Sequence, residues 1–349
     1  MHPTSEVVLR CLHAVRGSSV LLVGSPDPGF GATLAARLGA RRVTDFATDF
    51  AVHALTLGEL ARAGGPVAPQ FGSWYAPPDA PHDGAIVFLP KSRALIEMTF
   101  TMVAGAVAPG GSVLLVGGNS AGIRSSLEPL ERIVGEVTFS DSARRCCAYL
   151  ARRSAARPPR PHLDDWVDEH APVVRGEALP VATLPGVFSH GRLDDGTRLM
   201  LENLPAFPAA PRVLDLGCGC GIVGLAVKRF HPDATVDMTD VSAHALEAAR
   251  RTVARNGLSG VTVFPSDVFS AVNGRYTRIL FNPPFHNGVK TDYRVVEGFF
   301  RGAAAHLEPG GEAVVVANRS LPYLPLIEQH LGTPQILAED TRYRVFHMG

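Results

Sequence analysis

The feature that most constrains this 349-residue sequence is a weak internal repeat. Val20-Leu-Leu-Val-Gly24 reads as a short buried strand ending in glycine, and Val213-Leu-Asp-Leu-Gly217 repeats it 193 residues later. Ile86-Val-Phe88 and Ile279-Leu-Phe281 stand at the same offset of 193, and Ala108-Pro-Gly-Gly-Ser-Val-Leu-Leu-Val116 matches Glu308-Pro-Gly-Gly-Glu-Ala-Val-Val-Val316 at an offset of 200. Short apolar runs separated by helical stretches are the pattern of parallel strands with helical crossovers. Three such signals in one order predict two tandem α/β domains, each a doubly wound, mostly parallel sheet. The length agrees, because one hydrophobic core rarely organises so many residues. The expected division is a first domain over 1–153, a Pro/Arg-rich linker over 154–172 and a second domain over 173–349. Arg157-Pro-Pro-Arg-Pro161 marks the linker, since proline continues neither a helix nor a central strand. The last segment, Gln335 to Ala338 and Arg342 to His347 about Glu339-Asp340, reads as a β-hairpin.

Composition excludes more than it assigns. The 33 basic and 33 acidic residues balance, so any nucleic-acid contact has to rest on a local patch. Six arginines between Arg144 and Arg160 form one such run without an acid (Arg144, Arg145, Arg152, Arg153, Arg157, Arg160). It reads equally as a phosphate grip or as a solvated face balanced by Asp164, Asp165, Asp168 and Glu169. No run of apolar residues is long enough for a membrane span, and Met1 to Arg16 lacks the long uninterrupted apolar run of a signal peptide. The five cysteines lack metal-ligand spacing, so we expect free thiols, no metal and a cytoplasmic protein. The sequence leaves open whether it is a monomer or a homodimer.

The second half carries the chemistry. Asp215-Leu-Gly-Cys-Gly-Cys-Gly-Ile-Val-Gly224 follows a strand and opens a helix expected over Ile222 to His231. Gly217, Cys218, Gly219 and Gly221 would let the backbone bend sharply against a ligand. A bare glycine loop suits many nucleotides. Asp215 ahead of it would repel a pyrophosphate and suits the ammonium of a methionine moiety. Thr235-Val-Asp-Met-Thr-Asp240 is a second strand ending in an acid, 23 residues after Gly217, where a carboxylate reaches ribose hydroxyls, and Val241 follows it. Val261-Thr-Val-Phe264 leads to Asp267 and Val268, placed for an adenine amino group and ring. Asp240 and Asp267 also read as caps for the next helix or turn.

Arg278-Ile-Leu-Phe281 is the fourth strand, and Asn282-Pro283-Pro284-Phe285 stands at its carboxyl end, where such sheets place ligands. Exocyclic base amines are poor nucleophiles because their lone pair is delocalised into the ring. Two acceptors aimed at the two N–H bonds, the Asn282 side-chain oxygen and the Pro283 carbonyl, would pull the nitrogen pyramidal and turn its lone pair toward a sulfonium methyl. The prolines stiffen the loop, and Phe285 stacks on the base. The pattern predicts an S-adenosylmethionine-dependent N-methyltransferase, by physics equally suited to guanine N2 or adenine N6. His286, Asn287, Lys290 and Arg294 are further candidates for the substrate side; for Lys290 and Arg294 a solvated helix face is the competing reading.

At these motifs the chain resembles the bacterial small-subunit ribosomal RNA guanine-N2 methyltransferases, which are built from two tandem methyltransferase-like domains. The resemblance extends over almost the whole chain and takes in Leu184-Pro-Gly-Val-Phe-Ser189, Leu193-Asp-Asp-Gly-Thr197 and Ala317-Asn-Arg-Ser-Leu-Pro-Tyr323. In the first half it takes in Leu89-Pro-Lys91, Gly117 to Arg124 and Asp141 to Cys146. It implies seven strands in each half, guanine N2 in 16S ribosomal RNA as target, and Phe188, Ser189, Asp194 and Thr197 beside the cofactor or base. It also implies a degenerate first domain that supports the fold or grips RNA. The residues agree: at the offset of 193, Gly219 and Gly221 fall on Pro26 and Pro28, Asn282 on Leu89 and Phe285 on Ser92. Tyr276-Thr277 departs from the family's usual aromatic-Asp pair. Two other readings stay open, an amine methyltransferase for a small nucleoside-like metabolite and a non-catalytic RNA-binding or assembly protein.

Overall fold

The computed structural model describes all residues except 77, 157, 159, 190, 208–210 and 284–289, and it describes 290–292 without their side chains. The chain divides into two compact units, Met1–Val167 and Asp168–Gly349.

The first unit runs α1 (Pro3–Cys11), β1 (Ser19–Val23), α2 (Phe30–Leu38), β2 (Arg42–Ala47), α3 (Phe50–Ala63), β3 (Val67–Phe71), β4 (His82–Phe88), α4 (Arg93–Ala106), β5 (Val107–Gly118), α5 (Leu127–Ile133), β6 (Val137–Ala143) and β7 (Cys146–Arg152). Its seven strands lie in the order β3-β2-β1-β4-β5-β7-β6. The first five in this order are parallel, and β7 is antiparallel to both neighbours. β1 is apolar throughout its centre because both faces of a parallel sheet are covered. Leu21 and Val23 enter one core, and Val20 and Leu22 the other. Residues 163–166 form a short 3-10 helix that buries Trp166, with Arg160 stacked on its ring.

The second unit opens with four short strands, β8 (Asp168–His170), β9 (Val173–Val174), β10 (Glu177–Ala178) and β11 (Val181–Thr183). It continues through α6 (Asp195–Glu202), β12 (Arg212–Leu216), α7 (Ile222–Phe230), β13 (Thr235–Asp240), α8 (Ala243–Arg255), β14 (Val261–Pro265), β15 (Tyr276–Phe281), α9 (Lys290–Ala303), β16 (Leu307–Asn318), α10 (Leu324–Leu331), β17 (Gln335–Glu339) and β18 (Tyr343–Met348). The order β14-β13-β12-β15-β16-β18-β17 reproduces the first sheet strand for strand. β17 and β18 pair antiparallel as the terminal hairpin. Tyr276, the departure noted above, is buried and donates its hydroxyl to Asp237 at 2.8 Å.

The two sheets share register as well as order. Ser19 lies opposite Arg42 in the first and Arg212 opposite Thr235 in the second, so Ala47 stands where Asp240 does. Gly24 (φ 68°) donates its N–H to the Phe46 carbonyl at 3.0 Å, and Gly217 (φ 72°) donates to Thr239 at 2.8 Å. Beyond that turn one expectation needs correction. The left-handed glycine that opens α7, Gly221 at φ 80°, has its counterpart in Gly29 at φ 72°, which opens α2, and not in Pro28. The first loop is one residue longer, so the offset there is 192. Pro26 and Pro28 lie within that longer loop, whose Asp27 carboxylate accepts the His2 N–H at 2.8 Å.

Asp45 on β2 is a buried acid facing α2, and its Oδ2 has no hydrogen-bond partner among the described residues. Burial raises its pKa to about 6, against a smaller opposing pull from the Gly31 N–H. A folded-state pKa above the unfolded value means that this group's contribution to stability is greatest below about pH 4 and falls as pH rises through 6. The loss is about 3 kcal/mol. Asp45→Asn is therefore expected to raise the stability of the first unit at pH 7 and to flatten its dependence between pH 4 and 6, read by urea titration at several pH values.

Candidate active site

A cavity of about 290 Å³ opens at the carboxyl ends of β12, β13, β14 and β15. This is close to the lower bound of about 300 Å³ for small-molecule and cofactor sites. Each strand contributes a residue from its end: Asp215 and Gly217 from β12, Asp240 and Val241 from β13, Asp267 and Val268 after β14, and Asn282 and Pro283 after β15. Phe188, Ser189 and Thr197 complete the wall from the segment ahead of β12. The described site residues predicted from sequence thus converge on one cavity, except Gly221, which opens α7 behind its lining. Pro284 and Phe285 lie outside the described residues, as do His286 and Asn287.

Glycine serves two different purposes in the loop between β12 and α7. At Gly219, with φ 54°, a Cβ would meet nothing within 4 Å, so the position needs glycine for its left-handed backbone and leaves open space beside it. Gly224 is needed for packing: a Cβ there would come within 2.2 Å of Met238, and this close approach seats α7 against β13.

Two acids, Asp215 buried and Asp240 part-exposed, organise this loop. Asp215 is 3% exposed and accepts the Gly224 N–H through Oδ2 at 3.0 Å. Burial raises its pKa to about 7, the Gly224 N–H opposes this, and the neighbouring charge of Asp240 adds to the rise. Asp240 accepts from Gly219 N–H at 3.0 Å and from Ser242 N–H at 2.8 Å. It therefore shapes the glycine loop and the start of α8. The cap of α8 is not Asp240 but Ser242, whose hydroxyl accepts the Ala245 N–H.

Asn282 is held from behind. Its Nδ2 donates to Thr197 Oγ1 at 2.7 Å and to Asp194 Oδ2 at 3.2 Å. Asp194 is itself the N-cap of α6, accepting the Thr197 N–H at 2.9 Å. A carboxylate only accepts, so the amide must present its NH₂ to Asp194. That leaves Oδ1 as the other end of the amide, and this atom is buried with no hydrogen-bond partner among the described residues. An orphaned buried acceptor is costly and calls for an explanation.

Asp267 and Val268 depart from their simplest expectation. The Asp267 carboxylate is forked by Arg294 at 3.0 and 3.3 Å, which accounts for Arg294 without a phosphate. Val268 has φ 51°, a left-handed conformation that is costly for a β-branched residue, and Ser266 holds it there by donating to its carbonyl at 2.7 Å. Sequence reasoning missed His170, Arg192 and Val295, which also line the cavity: His170 ends β8, a three-residue strand outside the repeat, and Arg192 and Val295 sit in no motif that was singled out. Three arginines of the run are engaged by other parts of the first unit. Arg144 pairs with Glu6, Arg153 donates to the Ala104 and Ala156 carbonyls, and Arg160 donates to the Asp165 carbonyl. Arg157 lies outside the described residues. Among the described residues, no group of His, Cys, Asp and Glu could hold a metal ion, and no helix is long and apolar enough to cross a membrane.

Residues 178–347 match the methyltransferase small domain, and residues 5–170 the methyltransferase small domain N-terminal family. The ribosomal RNA small subunit methyltransferase C of Stutzerimonas stutzeri (strain A1501) is 40% identical over 347 residues, 99% of this chain and 98% of that protein. The chain belongs to the ribosomal RNA small subunit methyltransferase C family. The family member of Pseudomonas aeruginosa (strain LESB58) is 39% identical over 349 residues, 99% of this chain and 98% of that one. Among solved structures, a Thermus thermophilus 16S rRNA N2 G1207 methyltransferase in complex with AdoMet and guanosine superposes with a TM-score of 0.84 at 25% identity. It covers 99% of this chain, which covers 91% of that one. Membership of the small subunit methyltransferase C family makes the chain a methyltransferase, with two mostly parallel seven-stranded sheets.

Proposed function

We propose that this enzyme methylates the exocyclic N2 amine of a guanine in 16S ribosomal RNA, with S-adenosylmethionine as donor, in the cytoplasm and on a small ribosomal subunit or its precursor. The observation that carries the reading is the fixed, buried and unpartnered Oδ1 of Asn282. The guanine target rests on the relatives, whose names specify small-subunit ribosomal RNA and, in the solved case, N2 of a guanine.

The cavity residues fit the proposed donor. S-adenosylmethionine is a cation at sulfur and, when bound, supplies an electrophilic methyl group. Asp194, Asp240 and Asp267 line the cavity with Arg192, Asp267 already forked by Arg294, and the fourth acid, Asp215, is pushed toward its neutral form by burial. That balance favours a sulfonium and an ammonium over a phosphate. Asp240 would hold ribose hydroxyls, Asp267 and Val268 the adenine, and the Gly217–Gly221 loop with Asp215 the methionine part. Phe188, half exposed at the rim, and Ser189 would close over it.

On the substrate side, Asn282 Oδ1 would accept one amine N–H and the Pro283 carbonyl the other, with Phe285 stacking on the base. Because Asp194 and Thr197 fix the amide beforehand, little reorganisation is left for the moment of reaction. The first unit is proposed to carry no cofactor: Ala47 replaces Asp240 by register, and Leu89 replaces Asn282 by offset. Its part would be support and RNA grip, with 154–172 as the connection to a catalytic domain over 173–349.

The test is to incubate the enzyme with methyl-labelled S-adenosylmethionine and unmodified 16S rRNA or 30S subunits, and to digest the product to nucleosides. Label is expected in N2-methylguanosine. Label in N6-methyladenosine, or only in a small-molecule amine, overturns the proposal.

A further inference from the structure

The mechanism leaves one charged feature of the first unit unused. Arg16, Arg41 and Arg152 line an open notch together with the backbone of Gly17, Gly110 and Gly111. It lies at the amino ends of β1, β2 and β4, opposite the end where such sheets hold cofactors. None of the three guanidinium groups has a carboxylate partner among the described residues. Arg41 donates only to the Ser18 hydroxyl, at 3.1 and 3.2 Å. The acid in the notch, Asp83, is engaged elsewhere, accepting the backbone N–H of Ser18 at 2.7 Å and of Ser19 at 2.9 Å.

The second unit provides an internal control. At the same end of its sheet, Arg212 pairs with Asp237 and the buried Arg278 with Glu312. Ala234 stands at the position of Arg41. At this end the second unit pairs Arg212 and Arg278 with carboxylates and leaves Arg275 on the Leu307 carbonyl, whereas the first unit gathers three arginines in one notch with no carboxylate partner among the described residues. Unpaired arginines in a concavity, beside glycine backbone that admits close approach, are suited to phosphate oxygens.

We infer that this notch binds the phosphate backbone of the RNA substrate. The inference rests on the proposed RNA target and adds the surface that grips it. This grip is sequence-independent, so it supplies affinity and orientation, and the choice of base stays with the cavity of the second unit.

The experiment compares wild-type enzyme with the triple variant R16Q/R41Q/R152Q and with the charge-keeping triple variant R16K/R41K/R152K. Binding to in vitro transcribed 16S rRNA is measured from about 50 to 200 mM salt. For the glutamine variant, the slope of log affinity against log salt is expected to shrink by about 2 to 3, since each lost phosphate contact removes about 0.7 to 0.9. Its KM for rRNA should rise at least tenfold, with kcat and cofactor affinity unchanged. The lysine variant should keep the wild-type slope, which separates loss of charge from loss of fold. An unchanged slope in the glutamine variant overturns the inference. So does a variant that keeps its RNA slope and instead loses binding to polyglutamate, which would indicate an acidic protein as occupant. The proposed function fails separately, if wild-type enzyme transfers no label to rRNA.

Discussion

Replacing Asn282 by alanine is expected to lower kcat on rRNA by about 100- to 1,000-fold, the usual cost of removing one preorganised hydrogen-bonding group from a reacting centre. Cofactor affinity should remain within about twofold of wild type. Single-turnover methyl transfer and calorimetry check the two halves of this prediction. The reason is that Oδ1 has no structural work in the described protein: it is buried and bonded to nothing, while Nδ2 carries all of the side chain's contacts. Asn282→Asp should be nearly as damaging. It keeps an acceptor, but it sets an oxygen against the Asp194 carboxylate that now receives the Nδ2 at 3.2 Å, so like charges oppose the native rotamer. Thr197→Val removes the shorter of the two restraints, at 2.7 Å, and should cost less than either.

Asp240→Ala is expected to have the complementary effect. The cofactor dissociation constant should rise about 100- to 1,000-fold, which is what losing two charge-assisted hydrogen bonds of about 1.5–2 kcal/mol each implies. At saturating cofactor, kcat should recover to near the wild-type value, because Asp240 holds the glycine loop and the start of α8, while Asn282 is held by Asp194 and Thr197. Its carboxylate also holds Gly219 and the start of α8 through the Ser242 N–H, so part of the loss would come from a loosened loop. Asp240→Asn separates the two roles, since a neutral amide oxygen can keep one loop contact while the charge is removed.

Much of this was legible in the sequence, for a physical reason. Central strands of parallel sheets are buried on both faces, so Val20–Val23 appears as an unbroken apolar run and Val213–Leu216 as an apolar run interrupted by Asp215, and the glycines that end them mark the turns. Residues at strand ends are brought together by the sheet itself, which is why Asp215, Asp240, Asp267 and Asn282 reach one cavity. What escaped depends on contacts across long separations or on loop length. The orientation of Asn282 is set by Asp194 and Thr197, 88 and 85 residues away. The pairing of Asp267 with Arg294 joins a loop to a helix 27 residues later. The single extra residue between Gly24 and Gly29 misaligned Pro28 with Gly221, because a constant offset cannot register an insertion. The arginine run between Arg144 and Arg160 looked uniform in sequence. In three dimensions Arg152 joins Arg16 and Arg41, more than a hundred residues away, while Arg144 pairs with Glu6 and Arg153 donates to the Ala104 carbonyl.

The central claim is that a duplicated chain works through a single site, the one built around Asp240 and Asn282. Its most direct test is the stoichiometry of S-adenosylmethionine binding to the full-length protein by titration calorimetry. One cofactor per chain is predicted, with binding strongly weakened by Asp240→Ala and unaffected by substitutions at Pro26 or Pro28. Two cofactors per chain, or one that survives Asp240→Ala and is lost on changing the Pro26–Pro28 loop, would contradict it.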